Sequence, residues 1–184
     1  MKIKIFLIVL VILVALVLYF YYCPEKSVLV NEANIKDQLK KNIEKANEHF
    51  VSVSRLITEF GSRKIKNGMV VFTHCHSSAV MDILKEAKRK KINFKVKNTE
   101  TRPLFQGRIT ASELAKEGIP VEHFVDSAGR LAIKESDMML IGADAITSEG
   151  YIINKIGSEL FAETAFKKNV PVYVCADSWK FDIK

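Results

Sequence analysis

The chain has 184 residues, enough for one ordinary core and too few for two domains of typical size. Its 28 basic and 21 acidic residues leave a net charge of +7, but the basic run at Lys85–Lys91 alternates with helix formers and lacks interleaved aromatics. That pattern reads as a solvated helix face and argues against direct nucleic-acid binding, while an anionic small substrate or acidic lipid would use the same surplus. Three cysteines, Cys23, Cys75 and Cys175, have no paired spacing; a disulfide framework is excluded and a reducing compartment such as the cytosol is expected.

The first element is an uncharged run from Ile5 to Tyr22. It is long enough to cross a hydrocarbon layer of about 30 Å as a helix of about 20 residues. The aromatic cluster Tyr19–Tyr22 suits a membrane interface, and no small-residue cleavage site follows it. The expectation is therefore a membrane anchor over residues 1–24, with residues 5–22 as its membrane contact and the rest of the chain on the cytoplasmic side. A helical segment over 31–66 follows, with Ile35, Leu39, Ile43 and Ala46, then Phe50, Val53 and Ile57, near a helical period.

From Met69 the pattern changes to short apolar runs, each followed by a longer charged segment: Met69–Phe72, Phe94–Val96, Val121–Val125, Met138–Ile141 and Val170–Val174. This rhythm predicts βαβ units around a parallel sheet over residues 67–184. The expected fold class is α/β: a Rossmann-like parallel-sheet domain preceded by a helical segment and an N-terminal transmembrane helix.

Ligands of such sheets bind beyond the carboxyl ends of the strands, so the residues that follow each apolar run are the place to look. Cys75 comes just after the first strand, at the start of an expected helix whose dipole would favour a thiolate, which makes it a candidate acid, base or nucleophile. It could equally be a small packed cysteine, and His74, Cys75 and His76 are all zinc-ligand types, although consecutive side chains point apart. Asp144 follows the fourth strand through Gly142-Ala143 and could act as a general acid or simply hold a turn. Asn154 and Lys155 precede another helix, an arrangement suited to an anion, and Arg102 offers a guanidinium for bidentate phosphate contact. No Walker loop, Gly-x-Gly-x-x-Gly, Gly-x-Ser-x-Gly or His-Glu-x-x-His occurs, which leaves the dinucleotide, nucleotide-triphosphatase, serine-hydrolase and zinc-protease readings without support.

Taken together, five segments closely resemble the archaeal ribose-1,5-bisphosphate isomerases over about Glu48–Phe181. They are Thr73-His74-Cys75-His76-Ser77, Glu100-Thr101-Arg102-Pro103 with Gln106-Gly107, Val125-Asp126-Ser127-Ala128, Gly142-Ala143-Asp144 and Asn154-Lys155-Ile156-Gly157. The wider family is similar too, and includes 5-methylthioribose-1-phosphate isomerases and the alpha, beta and delta regulatory subunits of initiation factor two B. The resemblance implies a Rossmann-like domain and conversion of ribose 1,5-bisphosphate to ribulose 1,5-bisphosphate in nucleoside salvage. It further implies no cofactor, no metal, and a self-associating chain.

By the same resemblance, Asp144 serves the ring oxygen and Cys75 the carbons, Asn154 and Lys155 hold hydroxyl and phosphate oxygens, and Arg102 lines the cleft. Regulatory relatives usually lose both the cysteine and the aspartate that this chain keeps. A non-catalytic regulatory subunit binding sugar phosphate or nucleotide is the alternative, because relatives carry a longer helical N-terminal domain and continue beyond the equivalent of Lys184.

Overall fold

The computed structural model of the chain describes residues 32–182, which fall into two compact units parting between Leu56 and Ile57. The first contains most of one long helix, α1 (Glu32–Ser62), whose 31 residues span about 46 Å at 1.5 Å per residue. Its periodic apolar positions Ile35, Leu39, Ile43 and Phe50 are exposed, opposite a charged face.

The expected transmembrane helix is corrected here. Among the described residues no helix is long and apolar enough to cross a membrane. The longest, α1, carries Lys36, Asp37, Lys40, Lys41, Glu44, Lys45 and Glu48 in its first half, and each buried charge would be costly in hydrocarbon. The run Ile5–Tyr22 that prompted the expectation lies outside the described residues. The membrane anchor over 1–24, the membrane contact through 5–22 and the membrane-anchored localisation accordingly have no support.

The second unit is an α/β layer structure. Its elements are β1 (Val70–Thr73), α2 (Ser78–Arg89), β2 (Lys95–Thr99), α3 (Gln106–Lys116), β3 (Val121–Phe124), α4 (Gly129–Lys134), β4 (Met138–Ile141), β5 (Ala145–Thr147), β6 (Ile152–Ile153), α5 (Ser158–Lys167), β7 (Val172–Val174) and β8 (Phe181–Asp182). Five strands form a parallel sheet in the order β3-β2-β1-β4-β7, with Val71 beside Val96 on one side and Met138 on the other. Strands β5, β6 and β8 make a small second sheet.

Alternation along the central strands sorts side chains into two cores. Val71, Val96, Met138 and Leu140 face α2 and α3, packing on Val80, Ile83, Leu84, Ala87 and Leu114. Phe72, Met139 and Ile141 face the other way, onto Ala132 and Ile133 of α4 and Phe161 and Ala165 of α5. Helix α2 fits its slot because Val80, Ile83, Leu84 and Ala87 recur at helical spacing, Ser77 caps its start by accepting from the Val80 N–H, and Lys88 and Arg89 complement its C-terminal dipole. Each fully buried aliphatic or aromatic side chain contributes about 1.5–3 kcal/mol. Both faces of β1 and β4 are buried, as a parallel sheet covered by helices requires.

The expected second strand, Phe94–Val96, runs further, to Thr99. Lys97, Asn98 and Thr99 are polar yet buried, and the fold supplies each with a partner. Lys97 pairs with Glu135 and with Glu122, the latter at 3.0 Å. The Asn98 amide donates to the Gly107 carbonyl at 2.6 Å, and its oxygen lies 2.9 Å from His123 Nδ1. Burial without those partners would be prohibitive.

The chain leaves β1 toward β2 on one side, while β4 occupies the other. The carboxyl ends of β1 and β4 therefore flank a topological switch point, the place where ligands of such sheets bind.

Candidate functional site

The loop after β1 is held in an unusual backbone shape. Cys75 has φ +72°, in the left-handed region that costs an ordinary residue about 1–2 kcal/mol. Two hydrogen bonds compensate: its N–H donates to Thr101 Oγ1 at 2.9 Å, and its carbonyl accepts from Thr110 Oγ1 at 2.9 Å. Thr101 and Phe105, in the facing loop after β2, also have positive φ. Such strain persists where the surroundings over-determine it, and here three instances converge around one thiol.

Cys75 precedes the helix rather than opening it: α2 begins at Ser78 with Ser77 as its cap. The expected dipole-stabilised thiolate is thereby corrected. Burial pushes the Cys75 thiol above the ordinary value, against the lowering effects of the His76 backbone N–H and the Lys155 charge, while the Asp144 charge raises it further. The group at rest is a neutral thiol, and it donates to Gln106 Oε1 across 3.6 Å. Cys175, packed against the larger core, has its thiol pushed up to about 12 by burial.

Asp144 lies beyond β4 and is exposed, its backbone N–H bonded to the Ile153 carbonyl at 2.8 Å. Gly142 brings this turn against the cap of α2, since a Cβ there would come within 2.7 Å of Ser77 Oγ. Lys155 follows the β5-β6 hairpin and is half-buried. The fold thus puts the Asp144 and Lys155 charges each within electrostatic reach of the Cys75 thiol beside the switch point. The Asn154 amide donates to Ser158 Oγ at 3.0 Å, fastening the loop to the first residue of α5.

Arg102 lies in the facing loop after β2 and stacks on an aromatic ring. Its guanidinium lies 4.7 Å from the centre of the Phe105 ring, which also carries Arg108 at 3.9 Å. Arg108 is paired with Glu100 at 3.0 Å, whereas Arg102 has no ion pair among the described residues. The Arg102 backbone N–H donates to Asp126 Oδ2 at 2.7 Å, and that of Thr101 to Asp126 Oδ1 at 2.9 Å. Burial acts to raise the Asp126 carboxyl, but these bonds, a contact with the Thr99 hydroxyl and the nearby His74 together hold it below the ordinary carboxylate value.

Several participants, all but Thr110 within the quoted motifs, carry no role recognisable from residue type. Gln106 reaches the thiol, Thr101 and Thr110 hold the Cys75 backbone, and Asp126 anchors the Arg102 loop. The one available signal was their position after β2 and β3. His74 and His76 point apart: His74 bonds to Thr99 and Ile156, and His76 Nδ1 to Thr110 Oγ1 at 3.0 Å. Among the described residues no three His, Cys, Asp or Glu side chains gather as a metal site.

The family model for the initiation factor 2 subunit family matches residues 22–184. The chain belongs to that family. Within it, the chain is 48% identical over 125 residues to the ribose 1,5-bisphosphate isomerase of Thermococcus kodakarensis, covering 68% of this chain and 39% of the relative. It is 41% identical over 158 residues to the corresponding isomerase of Methanocaldococcus jannaschii, covering 84% of this chain and 50% of the relative. The chain therefore spans half or less of the length of these curated relatives.

A solved family structure, the Pyrococcus horikoshii OT3 translation initiation factor eIF-2B, is 35% identical with a TM-score of 0.77, over 79% of this chain and 53% of that one. The 5-methylthioribose 1-phosphate isomerase of the same organism shares the fold at a TM-score of 0.73 and 22% identity, over 84% of this chain and 46% of that one.

Proposed function

We propose that the chain is an aldose-ketose isomerase that converts ribose 1,5-bisphosphate to ribulose 1,5-bisphosphate. The observation that carries this reading is the placement of Cys75 and Asp144 after β1 and β4, the strands that flank the switch point, with the Lys155 charge also acting on the thiol. The names of the two isomerase relatives supply the substrate. Opening the furanose requires a proton at the ring oxygen, and Asp144 is assigned to deliver it. One hydrogen then moves from C2 to C1 while the C2 hydroxyl gives its proton to the Asp144 carboxylate left by ring opening and becomes a carbonyl. C1 is reduced as C2 is oxidised, so no external oxidant or reductant enters the balance. Cys75 is assigned to the carbons, beginning as a neutral thiol. Lys155 and Asn154 are assigned to phosphate and hydroxyl oxygens, and Arg102, whose guanidinium makes no ion pair among the described residues, to the other phosphate.

The test is to supply the full chain with ribose 1,5-bisphosphate and follow product. Binding without turnover would replace the isomerase by the regulatory-subunit reading. Lys155→Ala should raise the Kd for ribose 1,5-bisphosphate roughly ten- to a hundredfold, as expected from loss of a charge-assisted hydrogen bond worth about 1.5–3 kcal/mol. Titration calorimetry reads this, and unchanged affinity in the folded variant would remove Lys155 from the phosphate site. Family membership also supports self-association of the chain. Sedimentation velocity should show a species larger than 20.8 kDa; a monomer throughout the micromolar range would reject it.

A further inference from the structure

We propose that His74 is the positioning residue of the substrate site: it clamps the Lys155 loop to the ends of β1 and β2, so that the ammonium stays within reach of Cys75. This rests on the isomerase reading for its substrate but on geometry for the clamp.

His74 lies between β1 and Cys75 and is buried, only 2% exposed, so both ring nitrogens need partners inside the fold. Those partners lie on separate segments, which the ring ties together. Nε2 lies 2.8 Å from the carbonyl of Ile156, 82 residues away and next to Lys155. A carbonyl only accepts, so Nε2 carries the hydrogen. Burial pushes the ring toward its neutral form, against the raising effects of the Ile156 carbonyl and Asp126, and the Lys155 charge pushes the same way as burial. Nδ1 is then an acceptor, with Thr99 Oγ1 at 2.6 Å and Thr101 Oγ1 at 3.4 Å as the hydroxyls within reach. Thr101 is the residue whose hydroxyl accepts the Cys75 N–H. One ring thus links the loop that carries Lys155 to the loop that shapes Cys75.

The surroundings are built for that ring. Phe161 of α5 meets it edge-on at 4.8 Å and 70°, and itself packs edge-on against Phe72 at 5.4 Å. Gly157, at φ +97°, permits the close approach, because a Cβ there would come within 3.2 Å of His74 Nε2. A histidine that merely filled space would need neither the bond to Ile156 nor a glycine opposite it.

Two substitutions separate the roles of the nitrogens. Gln places an amide nitrogen the same number of bonds from Cα as Nε2, so His74→Gln can keep the bond to Ile156. Asn reaches only as far as Nδ1, so His74→Asn loses it. In the full chain, His74→Asn should raise KM for ribose 1,5-bisphosphate at least about tenfold with kcat within about threefold, and His74→Gln should return KM to within about threefold of the parent. Gly157→Ala presses on the same bond from the other side and should raise KM as Asn does; it also carries the test if His74→Asn fails to fold. Hydrogen exchange of the peptide spanning residues 150–161, measured without substrate, should accelerate in the Asn and Ala variants and not in the Gln variant.

An unchanged KM and unchanged exchange in folded His74→Asn or Gly157→Ala would overturn the clamp, as would a Gln variant that behaves like Asn. If the parent itself shows no turnover while exchange still separates Asn from Gln, the isomerase reading fails and the clamp stands.

Discussion

Cys75→Ser and Asp144→Asn should each lower formation of ribulose 1,5-bisphosphate by at least about a hundredfold, the low end for positioned general acid-base groups. Binding should stay within about threefold, because neither group is assigned to a phosphate. The argument is one of placement. Cys75 leaves β1 and Asp144 leaves β4, the two strands that flank the switch point, and the Asp144 charge is among the influences that raise the thiol. Serine keeps the size and a hydroxyl donor for Gln106 but is a far weaker acid than a thiol at neutral pH. Asparagine keeps the shape of the carboxylate without its proton chemistry. Initial-rate assays together with calorimetry on the same samples check both halves of the prediction. Activity persisting in Cys75→Ser would return the cysteine to a packed small residue, and loss of binding in Asp144→Asn would make that residue a ligand-holding group.

Phe161→Ala should destabilise the chain by about 3–5 kcal/mol, the usual cost of emptying an aromatic core site. Phe161 is 2% exposed, belongs to the core cluster shared by β1, β4, α4 and α5, and touches Phe72 on one side and His74 on the other. It also fills the space above Gly129, where a Cβ would come within 2.2 Å of its ring, so no neighbour stands ready to fill the gap. Against a total stability of about 5–15 kcal/mol for an ordinary domain, such a loss is severe. Urea unfolding followed by circular dichroism reads it as a lower midpoint at constant slope. A change below about 1 kcal/mol would mean that the site collapses around the vacancy, and the aromatic column would not be the support of the His74 ring described above.

The parallel sheet was legible because burial on both faces leaves a strong mark: Met138–Ile141 are four consecutive apolar residues, and all four are buried. The ends of β1 and β4 were legible for the same reason, and with them the places of Cys75 and Asp144, since a residue following a buried strand of such a sheet is placed by topology. Lys97, Asn98 and Thr99 were not legible as strand. A polar run in a sequence looks like the end of an element, and only Glu122, Glu135, His123 and Gly107, brought from other elements, make its burial tolerable. The small sheet of β5, β6 and β8 was missed as well, because its strands are two or three residues long and too short to show a period.

The sequence by itself therefore determined the α/β class with its parallel sheet and, through the resemblance its motifs carry, the family, and it offered the two residues to which the chemistry is assigned. These depend on residue type and on spacing along the chain, which survive in one dimension. Only the tertiary structure decided the state and surroundings of the site. It put Cys75 in a left-handed turn ahead of the helix, so that burial rather than the helix dipole governs its thiol. It joined His74 to Ile156 across 82 residues, and it set Arg102 against Phe105. The physical reason is common to all three: a side chain's pKa and orientation are set by whatever packs within a few ångströms, and those neighbours come from distant parts of the chain.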